Sequence, residues 1–183
     1  MESELPKRTR IRNRTDMRPK CFIAVVFFSC FTLSAFAGDA AIPPDLQVSI
    51  FKKVFGFDKA IQPGSLKVAV AFTDSSAALK DQLIKAFQDS GIAASAVKEE
   101  QLSTSLNGVN VLYVTPGVQS KQICQKNGIL SITGTPSLVE SGEASVGLSV
   151  LDNKPKIIVH LKQLKAEGHE LSANLLQLAK LIQ

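Results

Sequence analysis

The chain has 183 residues, is 45% hydrophobic and 20% charged, and carries 21 Lys and Arg against 16 Asp and Glu. That composition excludes a disordered polyelectrolyte, and the length suits one domain able to bury a core without disulfide staples. The net charge of +5 does not point to nucleic acid, because most of it lies in the first 37 residues and everything beyond them holds fourteen lysines, thirteen acids and no arginine, too thin a footprint for a phosphate backbone.

Lys7, Arg8, Arg10, Arg12, Arg14, Arg18 and Lys20 precede an uncharged run from Cys21 to Ala37. A basic segment, an apolar segment and the small residues of Ala35-Phe36-Ala37 are the three parts of a secretory signal. The expectation is a signal peptide over residues 1–37 cleaved after Ala37, with Met17 as an alternative start. A short linker over 38–43 and one domain over 44–183 follow. The rival reading is a membrane anchor, since the apolar run sits near the lower limit for crossing a bilayer. A lipidated Cys30 fits poorly because Phe27-Phe28-Ser29 precedes it. Cleavage leaves Cys124 as the one cysteine of the mature chain, so no internal disulfide forms and the thiol reads as a small buried hydrophobe.

After Pro43-Pro44, Asp45 is placed to cap a helix with Leu46, Ile50 and Val54 as its apolar stripe and Phe51 and Phe55 beside it. Gln62-Pro63-Gly64-Ser65 is a turn, and Leu66 to Phe72 reads as a buried strand. Thr73-Asp74-Ser75-Ser76 opens a helix with Leu79, Leu83 and Phe87 in register, stopped at Ser90-Gly91. A weak strand over 92–97, a short helix or loop over 99–106 and a firm strand over 109–114 come next. A helix over 119–126, a strand over 129–133 and a brief helix over 137–141 extend the alternation. Strands separated by helices imply a largely parallel sheet. Ala144 to Leu151 and Lys156 to Leu161 then form an antiparallel hairpin around Asp152-Asn153-Lys154-Pro155. A helical turn over 162–167 leads past Gly168 to a final helix with Leu171, Leu175, Leu178 and Ile182 on one face. The fold class is therefore α/β, a single mixed, mostly parallel sheet flanked by helices, with a C-terminal hairpin and packing helix.

No dinucleotide fingerprint, P-loop, zinc-protease motif or nucleophile elbow occurs in the sequence, so no cofactor and no metal are implied. His160 alternates away from its apolar strand neighbours and reads as half-exposed, and His169, beside Gly168, reads as solvated. Glu99-Glu100 fit the first turn of a helix rather than a catalytic pair. Three polar strand ends remain: Thr73, Asp74 and Ser75; Thr115 and Gly117; and Thr133, Gly134 and Thr135. In open α/β sheets small ligands bind beyond such carboxyl ends, and the same residue types also serve as caps and turns.

The stretch Glu140 to Leu148, the segment Asp152 to Leu161 and the closing Glu167-Gly168-His169-Glu170-Leu171-Ser172-Ala173-Asn174-Leu175-Leu176-Gln177-Leu178-Ala179 together resemble the YfiR-like family of small secreted bacterial proteins. The likeness runs over roughly Pro44 to Gln183, with Val111 to Val114 and Ile132-Thr133-Gly134 where that family places sheet strands. His160 departs from it, standing where the family usually has Asn, as does Cys124, which has no partner for the disulfides of some relatives. The resemblance implies a periplasmic regulator rather than an enzyme. Its partner would be an inner-membrane signalling protein with a periplasmic portion, a diguanylate cyclase in the best-known members, with consequences for cyclic-di-GMP and biofilm. A homodimer is compatible with it, whereas nucleic acid and stable membrane insertion after cleavage are not. The competing readings are a periplasmic small-molecule binding module built on the strand-end loops, and a purely structural envelope protein.

Overall fold

The computed structural model describes residues 42–62 and 64–183. The expected leader, its cleavage point at Ala37 and most of the 38–43 linker lie outside the described residues. Ile42, from the end of that linker, is buried in the main core.

Helix α1 (Pro44–Phe55) starts on a proline at its first position, where the missing N–H costs nothing. Its N-cap is Pro43, without a side-chain bond. Asp45 sits in the first turn instead of capping, where a carboxylate still complements the helix dipole. The buried stripe is Gln47, Val48, Phe51, Val54 and Phe55. Leu46, expected inside, is 43% exposed. The two phenylalanines are the largest apolar groups of the helix, and turning them inward rotates Leu46 out.

The chain continues through β1 (Lys67–Phe72), a 3₁₀ turn at Asp74–Ser76, α2 (Ala77–Asp89) and β2 (Ala93–Lys98). A 3₁₀ turn at Glu99–Gln101, β3 (Val111–Val114), α3 (Lys121–Asn127), β4 (Leu130–Thr133) and α4 (Pro136–Glu140) follow. The remainder is β5 (Val146–Leu151), β6 (Lys154–His160), α5 (Leu161–Ala166), α6 (Ala173–Leu178) and β7 (Lys180–Ile182). These strands form one seven-stranded sheet in the order β2-β1-β3-β4-β5-β6-β7. From β2 to β5 all neighbours are parallel. β6 returns antiparallel to β5 through a two-residue turn at Asp152 and Asn153, both with positive φ. The expected α/β class and hairpin are therefore present, with Lys154 and Pro155 inside the strand rather than in the turn.

The C-terminus departs from expectation. The last helix ends at Leu178, because Ala179 is extended, and the final residues add β7 parallel to β6. Leu171 precedes the helix and makes a single bridge to Asp58, while Leu178 is 68% exposed. The edge of β6 offers unpaired N–H and C=O groups, and a short strand satisfies them where another helical turn would not.

Alternation along the strands divides the core. Val68, Val70, Val111, Tyr113, Leu130, Ile132, Val146 and Leu148 face α1 and α2, together with Leu171 and Leu175. Tyr113 stands edge-on to Phe51 and Phe87, with centroids 6.1 and 6.4 Å apart, a geometry that adds about 1 kcal/mol per pair to area burial. On the other face Ala69, Ala71, Leu112 and Val114 meet Leu102, Val118, Cys124 and Ile129.

Candidate functional site

The order β2-β1-β3 reverses direction at β1, and such a switch point opens a crevice at the carboxyl ends of the strands. The loops after β1 and β3 meet there. Ser76 Oγ lies 2.8 Å from Thr115 Oγ1, whose proton goes to Ala71 O at 2.9 Å. Thr73 Oγ1 lies 2.8 Å from Ser75 Oγ. Asp74 is exposed and pairs with Lys98 at 2.8 Å. Thr115 is fully buried, so its hydroxyl faces the protein.

One strand further on, Thr133 Oγ1 donates to Val114 O at 2.9 Å and accepts from Thr135 N at 3.1 Å. Gly134 N donates to Tyr113 Oη at 2.9 Å, Tyr113 donates to Gln47 Oε1 at 2.6 Å, and Gln47 Nε2 donates to Ile42 O at 2.6 Å. Burial pushes the Tyr113 phenol well above its ordinary pKa, so it stays a donor. A Cβ on Gly134 would collide with the Gln47 side chain, so glycine is what lets this relay close.

The eight expected ligand residues thus share one edge but not one cavity. Gly117 lines a cavity of about 600 Å³ with Lys121, Leu138 and Glu143. Gly134 and Thr135 line another of about 580 Å³ with Ile42, Pro136, Leu148 and Lys156.

A second polar cluster, missed in the sequence, links β4, the residue just before β5, and α5 with the residue that follows it. Glu167, 1% exposed, accepts from Ser131 N at 3.1 Å, Ser131 Oγ at 2.5 Å and Gln163 Nε2 at 2.9 Å, and also from Ser145 Oγ. Burial raises its pKa, and the serine and glutamine donors oppose that rise. The available signal was Ser131 within Ile129-Leu130-Ser131-Ile132, since a polar residue in a buried strand requires a partner.

His169 is also misplaced by the sequence reading: it is buried, not solvated. Its Nδ1 lies 2.7 Å from Asp58 Oδ2 and its Nε2 lies 3.2 Å from Gly128 O. Both partners are acceptors, an arrangement that favours the doubly protonated ring. Burial alone would lower its pKa, but the Asp58 carboxylate and the Gly128 carbonyl outweigh it and the net direction is upward. Both nitrogens are turned to partners inside the protein. His169 ties the loop after α1 to the loop before α6, alongside backbone bonds from Lys59 N to Glu170 O and from Ser172 N to Phe57 O. Cys124 is buried as expected, its thiol pushed up to about 12 by burial and by the nearby Glu167. His160 is half-buried, and its Nδ1 accepts from Gln163 N at 3.1 Å to cap α5, a bond an asparagine would also make.

The family model described as YfiR/HmsC-like matches residues 60–180. No curated protein matches. Among solved structures, the chain is similar to the ABC domain in complex with L-Trp from Streptococcus pneumonia. The TM-score is 0.56 at 13% identity, over 76% of this chain and 60% of that one. It is also similar to a conserved domain protein from Vibrio cholerae O1 biovar El Tor, with TM-score 0.56 at 11% identity, over 77% of this chain and 60% of that one. The chain thus spans about 60% of the length of either structure, and at these identities the likeness is one of fold.

Proposed function

The chain belongs to the YfiR/HmsC-like family, and on that premise we propose that it is a periplasmic regulatory protein of cyclic-di-GMP signalling. It acts by docking on the periplasmic portion of an inner-membrane signalling protein, in the first instance a diguanylate cyclase. The observation that carries this reading is the family match across residues 60–180. The signal-peptide pattern over residues 1–37, which would deliver the domain to that compartment, supports it. Cleavage after Ala37 gives a mature chain beginning at Gly38, which N-terminal sequencing of a periplasmic extract reads directly. Deleting the gene is expected to change intracellular cyclic-di-GMP, and an unchanged level with the cyclase gene intact sinks the reading.

A second reading, a small-molecule binding module, is favoured by one observation: Thr73, Asp74, Ser75, Thr115 and Gly117 flank the β1/β3 switch point, and Thr133, Gly134 and Thr135 stand one strand further along. Thermal-shift screening of the purified protein separates the two. A pocket binder melts higher with some small ligand, and an adaptor only with its protein partner.

A further inference from the structure

β5 runs further than the strand on its parallel side. Its pairs with β4 end at Gly147 opposite Thr133, whereas its pairs with β6 continue to Leu151 opposite Lys154. From Leu148 to Leu151 the hairpin therefore stands past the end of β4 with one side open, over a length of about 13 Å. The ladder shows which groups face that side. Opposed residues of an antiparallel pair alternate between exchanging both backbone bonds and exchanging none. His160 N donates to Ser145 O at 2.8 Å, which sets the bonded positions of β5 at Gly147, Ser149 and Leu151. Val150 falls between them, opposite Pro155, which has no N–H to give. The N–H and C=O of Val150 thus point away from β6, and among the described residues no backbone bond joins them to the loop after β4.

The open side borders a cavity of about 580 Å³, which Leu148, Val150 and Leu151 line together with Ile42, Thr135 and Pro136. Val150 is half-buried and Leu151 is 58% exposed, so apolar surface flanks the free backbone. Glu140 and Lys180 line the same cavity and pair with each other at 3.1 Å. Lys156 lines it too, with no ion pair among the described residues.

We propose that this slot takes an extended segment of a protein partner, which adds as a short strand to β5, bonds the backbone of Val150 and sets a carboxylate beside Lys156. A stretch of strand left unpaired in an apolar slot is complementary to another backbone: main-chain bonds supply affinity and the flanking side chains supply selection. The inference rests on the regulatory reading, to which it adds where the partner binds and in which conformation.

The first measurement uses the protein alone. In amide hydrogen exchange followed by NMR, the Val150 amide is expected to exchange about tenfold faster or more than those of Gly147 and Ser149, its neighbours in the ladder. Protection of Val150 at every concentration would show the edge filled by this chain itself, and protection that grows with concentration would show a second copy there. Either result overturns the proposal. The second measurement uses cells that lack the gene and carry a variant copy. Val150→Pro removes the outward N–H and spares the β6 ladder, a position at which an open strand tolerates proline. It is expected to give the cyclic-di-GMP level of the deletion, and Val150→Thr, which keeps the N–H, the wild-type level. A melting temperature close to wild type verifies that Val150→Pro is folded. Should it fail to fold, Lys156→Glu provides the comparison and is expected to move the level toward that of the deletion. A wild-type level with the folded variant overturns strand addition and leaves the regulatory reading standing, whereas a deletion that changes nothing overturns both.

Discussion

Two buried ionisable groups set the pH behaviour of individual residues here. His169 is raised in the folded protein by Asp58 and Gly128 against its own burial. Its contribution is complete below its unfolded pKa of about 6.5 and is lost as pH rises through the folded value. Glu167 is raised by burial, so it also favours the fold when protonated, and that contribution fades as pH climbs from about 4.3 upward. Urea melts across this range are expected to show stability falling as pH rises. In His169→Gln the part of the fall above about pH 6.5 should vanish, and an unchanged slope there means that His169 is not the titrating group. That variant also leaves Asp58 buried without its cation, a loss of about 3 kcal/mol. Glu167→Gln keeps the shape but sets an amide NH2 where one oxygen accepted, so either Ser131 N or the Gln163 amide loses its acceptor, and it should cost about 1–2 kcal/mol. Glu167→Ala strands the Ser131 and Gln163 donors and should cost about 3 kcal/mol. A thiol held up to about 12 is expected to resist alkylation until the chain is unfolded, which mass mapping of the Cys124 peptide would follow. Burial of Cys124 was legible from its apolar surroundings. The positions of Glu167 and His169 were not, because their partners are remote in sequence: Ser131 is 36 residues and Asp58 111 residues away.

Among the elements, the hairpin and the last strand carry the sharpest expectations. Asp152 and Asn153 have φ of 52° and 58°, the pair of left-handed residues that a two-residue hairpin turn needs to match strand twist. Asn153→Gly should hold or raise the melting temperature, whereas Asn153→Val should cost about 1–2 kcal/mol because a β-branched residue resists that conformation. Equal effects of the two would mean that the turn is not of this kind. Removing residues 180–183 uncovers the edge of β6, and greater self-association by light scattering is the expected result. Local sequence made the hairpin readable, since turn chemistry and alternation act over a few residues. The same rules failed at the end of the chain: Leu171, Leu175, Leu178 and Ile182 keep helical spacing, yet the open edge of β6 claimed the last residues.

At the scale of the whole molecule, one sheet with both faces covered should unfold as a unit. Tyr113, the chain's single tyrosine in the absence of tryptophan, lies in the core against Phe51 of α1 and Phe87 of α2. Its fluorescence therefore reports sheet and helices together. Denaturation followed by tyrosine emission and by far-ultraviolet circular dichroism should give one coincident transition, and separate midpoints would show that α1 and α2 leave the sheet independently. The strand order reverses at β1, which places the polar ends of β1 and β3 on a common edge. Gly117 after β3 and Gly134 after β4 line separate cavities.

By itself the sequence determined the class of the fold, the alternation of strand and helix, the hairpin, the export pattern and the family likeness. The first four rest on periodicity, turn residues or composition, which are local properties, and the likeness rests on matching stretches of residues. The tertiary structure alone decided which face of α1 is buried, that the chain ends in a strand, and that Glu167 and His169 lie inside. It also left Val150 of β5 open on the side away from β6. Burial and charge pairing depend on what the fold brings close in space, and separation along the chain carries no record of that distance.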